Sequence, residues 1–169
     1  MGGIKIIPYN PSQQAHFEQL NRVWIERFFE MEELDRYVLT QPQAAIIDPG
    51  GAILMATFND EIAGTVALRK LDATTFEFTK MAVDERFRRK GIAEALSYAS
   101  FLKANELGAL TVLLYSNSVL EGAVQLYEKL GFHHLPADNK EYKRSDVKMS
   151  IDIKAALRSA SIYYSKLLK

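Results

Sequence analysis

The chain has 169 residues, of which 48% are hydrophobic, 11% aromatic and 25% charged. That length and balance suit one folded domain with a sizeable core and exclude disordered, collagenous and low-complexity classes. Lys+Arg and Asp+Glu each number 21 and there is no cysteine. The even charge argues against nucleic acid or an anionic membrane as the main partner, and the missing thiols remove disulfides, Cys-held zinc, iron–sulfur clusters and cysteine nucleophiles.

Ile4 to Ile7 reads as a short strand ended by Pro8, and Asn10, Pro11 and Ser12 as the turn and cap of a helix. In that helix Phe17, Leu20, Val23, Trp24, Arg27 and Phe28 recur at three- and four-residue spacing, so one face is apolar. A second helix is predicted over Glu32 to Leu39, ahead of Pro42. Asp48-Pro49-Gly50-Gly51 marks a turn. Ala52 to Phe58, Ile62 to Leu71 and Thr74 to Val83 then read as an antiparallel meander, joined through Asn59-Asp60-Glu61 and Asp72-Ala73.

After a charged stretch from Asp84 to Lys90, Gly91 opens a helix that runs to about Leu107, with Ile92, Ala95, Leu96, Ala99 and Leu102 as its apolar stripe. Gly108 stops it. Leu110 to Tyr115 is almost continuously apolar, which predicts a strand buried on both faces. A helix over Val119 to Leu130, a strand over Phe132 to Leu135, a polar loop over 136–146 and a strand over Val147 to Ile153 follow. Lys154 to Lys169 is a terminal helix with Leu157, Ala160, Tyr164 and Leu168 along one side. No apolar run approaches the ~20 residues of a membrane span. The opening residues lack a signal-peptide pattern, and Gly2 lacks the Ser or Thr that myristoylation wants where Ile6 stands, so a cytoplasmic protein is expected.

The stretch that carries chemistry is Glu77 to Ala93, a strand that runs through a basic loop into a glycine-opened helix. The first N–H groups of a helix have no internal partner and carry partial positive charge. With Arg88, Arg89 and Lys90 just ahead, this end suits a phosphate or diphosphate, and Gly91 lets backbone approach closely. The same residues also describe an ordinary basic surface loop. There is no P-loop and no dinucleotide fingerprint. His16, His133 and His134 do not make a metal site, and no metal is expected.

Lys80-Met81-Ala82-Val83, followed by Arg88-x-x-Gly91-x-Ala93, resembles the acyl-CoA-binding motif of the GNAT superfamily of N-acyltransferases, written Q/R-x-x-G-x-G/A. Some forty residues on, Leu126-Tyr127-Glu128-Lys129-Leu130-Gly131-Phe132 is similar to that superfamily's second recurrent block. The resemblance covers most of the chain, with the helix over 154–169 appended outside it. It implies an α/β fold of the α+β type, a mixed, mostly antiparallel central sheet flanked by helices, in a single domain over 1–169.

The resemblance also implies roles. Backbone amides of Arg89, Lys90, Gly91, Ile92 and Ala93, with the Arg88 side chain nearby, would hold the CoA diphosphate. Met81, Ala82 and Val83 would pair with the pantetheine arm as an added strand does. The Val83 N–H would face the thioester carbonyl, and Tyr127 would protonate the departing thiolate. Glu77, as general base, lies six residues before Val83, so strand alternation puts the two side chains on one face, with Thr79 between them to order a water. Tyr127 as a core aromatic and Glu77 as a solvated strand residue are the competing readings. Where many members carry Asn, this chain has Leu120, and Asn117 either reaches the pantetheine amides or serves as a turn residue.

The resemblance further implies that the first two helices wall the acceptor pocket, where Glu26, Glu30, Glu32, Glu33 and Asp35 would form an acidic rim for a cationic amine, or else a solvated helix face. Trp24, Phe28, Phe29 and Tyr37 are candidates for its lining. The expected activity is acetyl transfer from acetyl-CoA to a small-molecule or peptide primary amine by direct attack. The alternative is a non-catalytic acyl-CoA-binding or regulatory module. A nucleic-acid reading through Arg86 to Lys90 is disfavoured by the neutral charge, and family habit suggests a homodimer.

Overall fold

The computed structural model describes residues 3–169, so Gly2 lies outside the described residues. Seven strands, β1 (Ile4–Pro8), β2 (Ala52–Phe58), β3 (Glu61–Lys70), β4 (Thr75–Val83), β5 (Thr111–Ser116), β6 (His133–Leu135) and β7 (Val147–Asp152), form one sheet. Their order is β1-β2-β3-β4-β5-β7-β6. Every neighbouring pair is antiparallel except β4 and β5. The helices are α1 (Gln14–Phe28), α2 (Glu33–Thr40), α3 (Ile92–Glu106), α4 (Glu121–Leu130) and α5 (Ile153–Leu167). The expected meander is present. Asn59 and Asp60 both adopt positive φ, 48° and 70°, the backbone a two-residue hairpin turn requires.

Two apolar cores lie on opposite faces of the sheet, as a layered α/β arrangement requires. On one face Phe17 and Ile25 of α1 and Val38 and Leu39 of α2 pack on Ile53, Met55 and Ala67. On the other, Leu96 and Phe101 of α3, Leu130 of α4 and Ala156 and Ala160 of α5 cover Leu68, Phe76, Val112 and Ile151. The core stripe of α1 therefore runs through Phe17, Asn21 and Ile25, and the Leu20-Val23-Trp24-Phe28 stripe seen in the sequence faces a cavity instead.

Three further expectations change. Strand β5 is not buried on both faces: only Val112 and Leu114 are fully covered, and Tyr115 borders the cavity. Helix α4 begins at Glu121 rather than Val119, because Asn117 to Leu120 make a turn closed by Leu120 N–H donating to the Asn117 carbonyl at 2.9 Å. Helix α3 is covered well beyond its predicted stripe. Ser97, Tyr98 and Ser100 are buried, and α5 packs against α3, with Tyr98 and Tyr163 stacked at 4.2 Å between ring centres. Asp152 caps α5 by accepting from the Lys154 N–H at 2.8 Å. Among the described residues no helix is long and apolar enough to cross a membrane.

Candidate active site

Strands β4 and β5 pair only through Thr75, Phe76 and Glu77 with Thr111, Val112 and Leu113. Beyond that point they separate, and the rest of β4 has a free edge. Pairing with β3 tells which amides point into the gap. Val83 stands opposite Gly64, and the Asp84 N–H donates to the Ala63 carbonyl at 2.8 Å. Successive amides alternate sides along a strand, so the Val83 N–H points away from β3 and toward β5.

A bulge interrupts the strand just before this point. The register passes from Ala67 opposite Thr79 to Thr65 opposite Ala82, leaving two β4 residues, Lys80 and Met81, against Val66. Lys80 takes a left-handed φ of 55°, and the extra residue reverses the alternation. Phe76 and Phe78 before the bulge and Met81 and Val83 after it all pack against the α3-side core. Glu77 and Val83 are therefore on opposite faces, not on one.

The gap opens into a cavity of about 1090 Å³. At one end lies the start of α3. Gly91 caps it with φ 83°, no side chain accepts from its first turn, and a Cβ at Gly91 would meet nothing within 4 Å. The first-turn amides are thus open, and Arg88, Arg89, Gly91, Ile92 and Ala93 all line the cavity. Among the described residues neither the Arg88 nor the Arg89 guanidinium makes a hydrogen bond or ion pair, whereas Arg86 is held by Asp84 and Glu61. Lys90 departs from the expected group: it does not line the cavity, and its ammonium sits 5.0 Å from the centre of the Phe58 ring.

Met81, Ala82, Val83 and Tyr127 line the middle of the cavity. Tyr127 is buried against Phe78 and Phe132, edge to face with ring centres 5.6 and 6.1 Å away. Its hydroxyl makes no hydrogen bond among the described residues. No fully buried side-chain polar atom lacks a partner, so that hydroxyl is reached from the cavity. Burial pushes its pKa up to about 12, which keeps the phenol protonated at neutral pH. Asn117 borders the cavity, but its amide is committed: it donates to the Arg144 carbonyl at 2.6 Å and accepts from the Val119 N–H at 2.9 Å. It serves as the turn residue.

Glu77 does not line the cavity and is 1% exposed. Arg69 Nε donates to its Oε1 at 2.9 Å, and the Tyr142 hydroxyl donates to its Oε2 at 2.9 Å. Burial first, then the Glu77 charge, push the Tyr142 pKa well above its ordinary value. Tyr142 does border the cavity, as does Thr79.

The far end is walled by Trp24, Phe28, Phe29 and Tyr142. The acidic rim expected here is not present among the described residues: none of Glu26, Glu30, Glu32, Glu33 and Asp35 lines the cavity. Tyr37 is exposed and away from it. Asp35 is instead fully buried beneath the site, accepting from Lys80 Nζ at 2.9 Å and from Arg144 Nη1 and Nη2 at 2.6 and 2.9 Å. Burial pulls its pKa up, but the Arg144 and Lys80 contacts outweigh that and hold it well below the usual carboxylate range. Burial pushes the Lys80 ammonium down, against the pull of Asp35 and Glu77. Lys80, Tyr142 and Arg144 were missed as site residues. A lysine inside an apolar strand was the visible signal for the first, whereas the other two lie in a loop with no pattern. Among the described residues no group of three or more His, Asp and Glu could hold a metal ion.

A family model described as an acetyltransferase (GNAT) domain matches residues 49–134. The N-acetylaspartate synthetase of Rattus norvegicus is 32% identical over 111 residues, 65% of this chain; the match spans only 35% of that relative's length. In structure, a GNAT-family acetyltransferase from Staphylococcus aureus Mu50 superposes with a TM-score of 0.79 at 21% identity, covering 89% of this chain and 99% of that one. The yncA protein of Salmonella typhimurium, solved with its cofactor acetyl-CoA, gives 0.71 at 16% identity over 89% and 94%.

Proposed function

This chain belongs to the GNAT acetyltransferase family, and from that premise we propose that residues 1–169 act as one acetyl-CoA-dependent N-acetyltransferase domain, with a primary amine as acceptor. One observation carries the reading: the free edge of β4 and the uncapped, arginine-flanked start of α3 open into the same cavity. That is a linear slot with hydrogen-bonding backbone along it and anion-binding amides at its end. The rat relative is named for an N-acetylated amino acid, which supports nitrogen as the atom acetylated.

Acetyl-CoA would supply an activated thioester. The diphosphate is held by the amides of Gly91 to Ala93 with the Arg88 and Arg89 side chains, and the pantetheine arm lies along Met81 to Val83. The Val83 N–H donates to the carbonyl oxygen as negative charge grows there during direct attack by the neutral amine. As the N–C bond forms and the C–S bond breaks, the Tyr127 hydroxyl gives its proton to the departing sulfur and regains one from solvent. The amine proton passes to the Tyr142 oxygen while the Tyr142 proton moves to Glu77 Oε2, and after product leaves the same relay runs in reverse and returns that proton to the water in the cavity. Glu77 thus acts only through Tyr142, since its carboxylate does not reach the cavity.

Thermal unfolding with acetyl-CoA and CoA release in the presence of amines test this together, the second read with a thiol dye because the protein contributes no thiol. At a concentration ~100 times the dissociation constant, binding adds about 2.7 kcal/mol, or about 8 °C for a domain of this size. A shift with no thiol release from any amine would leave the non-catalytic binding module; no shift at millimolar acetyl-CoA would refute the site.

A further inference from the structure

The charged side chains that line the aromatic end of the cavity are cations held from behind by Asp35, where a polyamine site would present carboxylates. Four carboxylates line the cavity: Asp84, Glu85, Glu94 and Glu121. Asp84 and Glu85 are engaged by Arg86 and Arg27, and Glu94 by Lys129. Glu121 stands at the start of α4, across β5. Among the aromatic walls the charged groups are Lys80 and Arg144.

Arg144 is held in an uncommon way. Its guanidinium carbon lies 5.8 Å from the Trp24 ring centre, 5.6 Å from Phe29 and 4.9 Å from Tyr142. The two terminal nitrogens bond to buried Asp35, and Nη1 also lies 3.5 Å from Glu32. The Nε–H has no partner among the described residues, and since no fully buried side-chain polar atom is left unpaired, it is open to solvent. A guanidinium fixes its donors in one plane. Asp35 and the three rings therefore set the tilt of that plane, leaving the Nε edge of a cavity-lining residue available. An edge of this kind, Nε–H beside a terminal N–H, matches the two oxygens of a carboxylate.

We propose that Arg144 anchors a carboxylate of the acceptor, so that the amine acetylated here belongs to a small carboxylated molecule such as a free amino acid. This rests on the acetyl-transfer reading above and names the acceptor class for the same site. Asp35 and Lys80 position the anchor from below, Lys80 sharing Asp35 so that the carboxylate does not draw Arg144 out of the cavity. Polyamines, with no carboxylate, have nothing to offer this edge.

The test is CoA release with matched acceptors: glycine against glycinamide, and L-aspartate against its diamide. The amides have less basic amines, so more of each is free to attack, and intrinsic reactivity favours them. The expected result is the reverse, a kcat/KM at least about tenfold higher for the carboxylates, the size of a lost charged hydrogen bond. Arg144→Gln should erase that preference by raising the acceptor KM while the acetyl-CoA-induced thermal shift persists. Arg144→Lys should recover only part, having charge without the planar fork.

Equal rates for acid and amide in the wild-type protein overturn the proposal without any variant, and leave acetyl transfer standing. So does a preference that survives in Arg144→Gln. If acetyl-CoA binds and no amine of any class releases CoA, the acetyl-transfer reading falls and the acceptor class with it.

Discussion

Replacing Asp35 by asparagine should cost several kcal/mol although the change in size is negligible. In the folded protein this carboxylate is wholly buried and accepts four hydrogen bonds: one from Lys80, two from Arg144 and one from the Glu32 N–H at 3.0 Å. An asparagine amide keeps one acceptor oxygen and turns an NH2 toward donors. Removing one partner of a buried ion pair costs about 3–5 kcal/mol. With an unfolding entropy of about 2.1 cal/mol/K per residue, a domain of this length loses about 3 °C of Tm per kcal/mol, so the fall should be about 8–14 °C. The loss must also depend on pH. The folded pKa of Asp35 lies below its unfolded value, so its stabilisation is complete above about pH 4 and fades as pH falls toward the folded value. Calorimetry of both proteins from pH 3 to pH 8 should show a constant gap above about pH 5 that narrows below pH 4. A Tm within about 2 °C of wild type, or a gap as wide at pH 3 as at pH 7, would refute the reasoning.

Gly91→Ala puts a residue at φ 83°, costing about 1–2 kcal/mol or some 3–6 °C. Its methyl group enters the open space where a diphosphate would approach, so calorimetric titration should show acetyl-CoA affinity falling by more than stability does. Tyr127→Phe removes a hydroxyl with no partner among the described residues, so Tm should move by less than about 2 °C while kcat drops ~10²-fold or more with acetyl-CoA still bound; an unchanged kcat returns Tyr127 to the core. Tyr163→Leu keeps apolar cover on α3 but loses the ring stack with Tyr98, an expected loss of about 1 kcal/mol and 3 °C in thermal melts.

The parts of the fold legible in the sequence were those written in local chemistry. Runs of β-forming residues between turn signals located β2, β3 and β4, and the glycines at 91, 108 and 131 end or begin helices with positive φ. The arginines ahead of Gly91 pointed to the uncapped start of α3, which opens into the cavity. The bulge at Lys80 stayed hidden because a lysine, not a glycine, takes the left-handed backbone there, and without it Glu77 was assigned to the wrong face. The aromatic end of the cavity depends on contacts across more than a hundred residues, Arg144 in a polar loop meeting Asp35 on α2. Nothing local in either segment marks that encounter. An acidic run beside an aromatic helix suggested a rim of negative charge, whereas the fold buries its one inward carboxylate under two cations. The stripe on α1 divides: Phe17 enters the core, while Leu20, Val23, Trp24 and Phe28 wall the cavity.

Three residue pairs are all that stitch β4 to β5, so the sheet is nearly two leaves, one of four strands and one of three, meeting at a short spine. Helix α3 lies on the first leaf, against β2, β3 and β4, while α5 grows out of β7 on the second and rests on α3. The last helix therefore works as a clasp across the back of the spine, with the two stacked tyrosines as its catch. Altering the bulk of that catch would change the grip on a ligand in the slot without touching any residue that meets it.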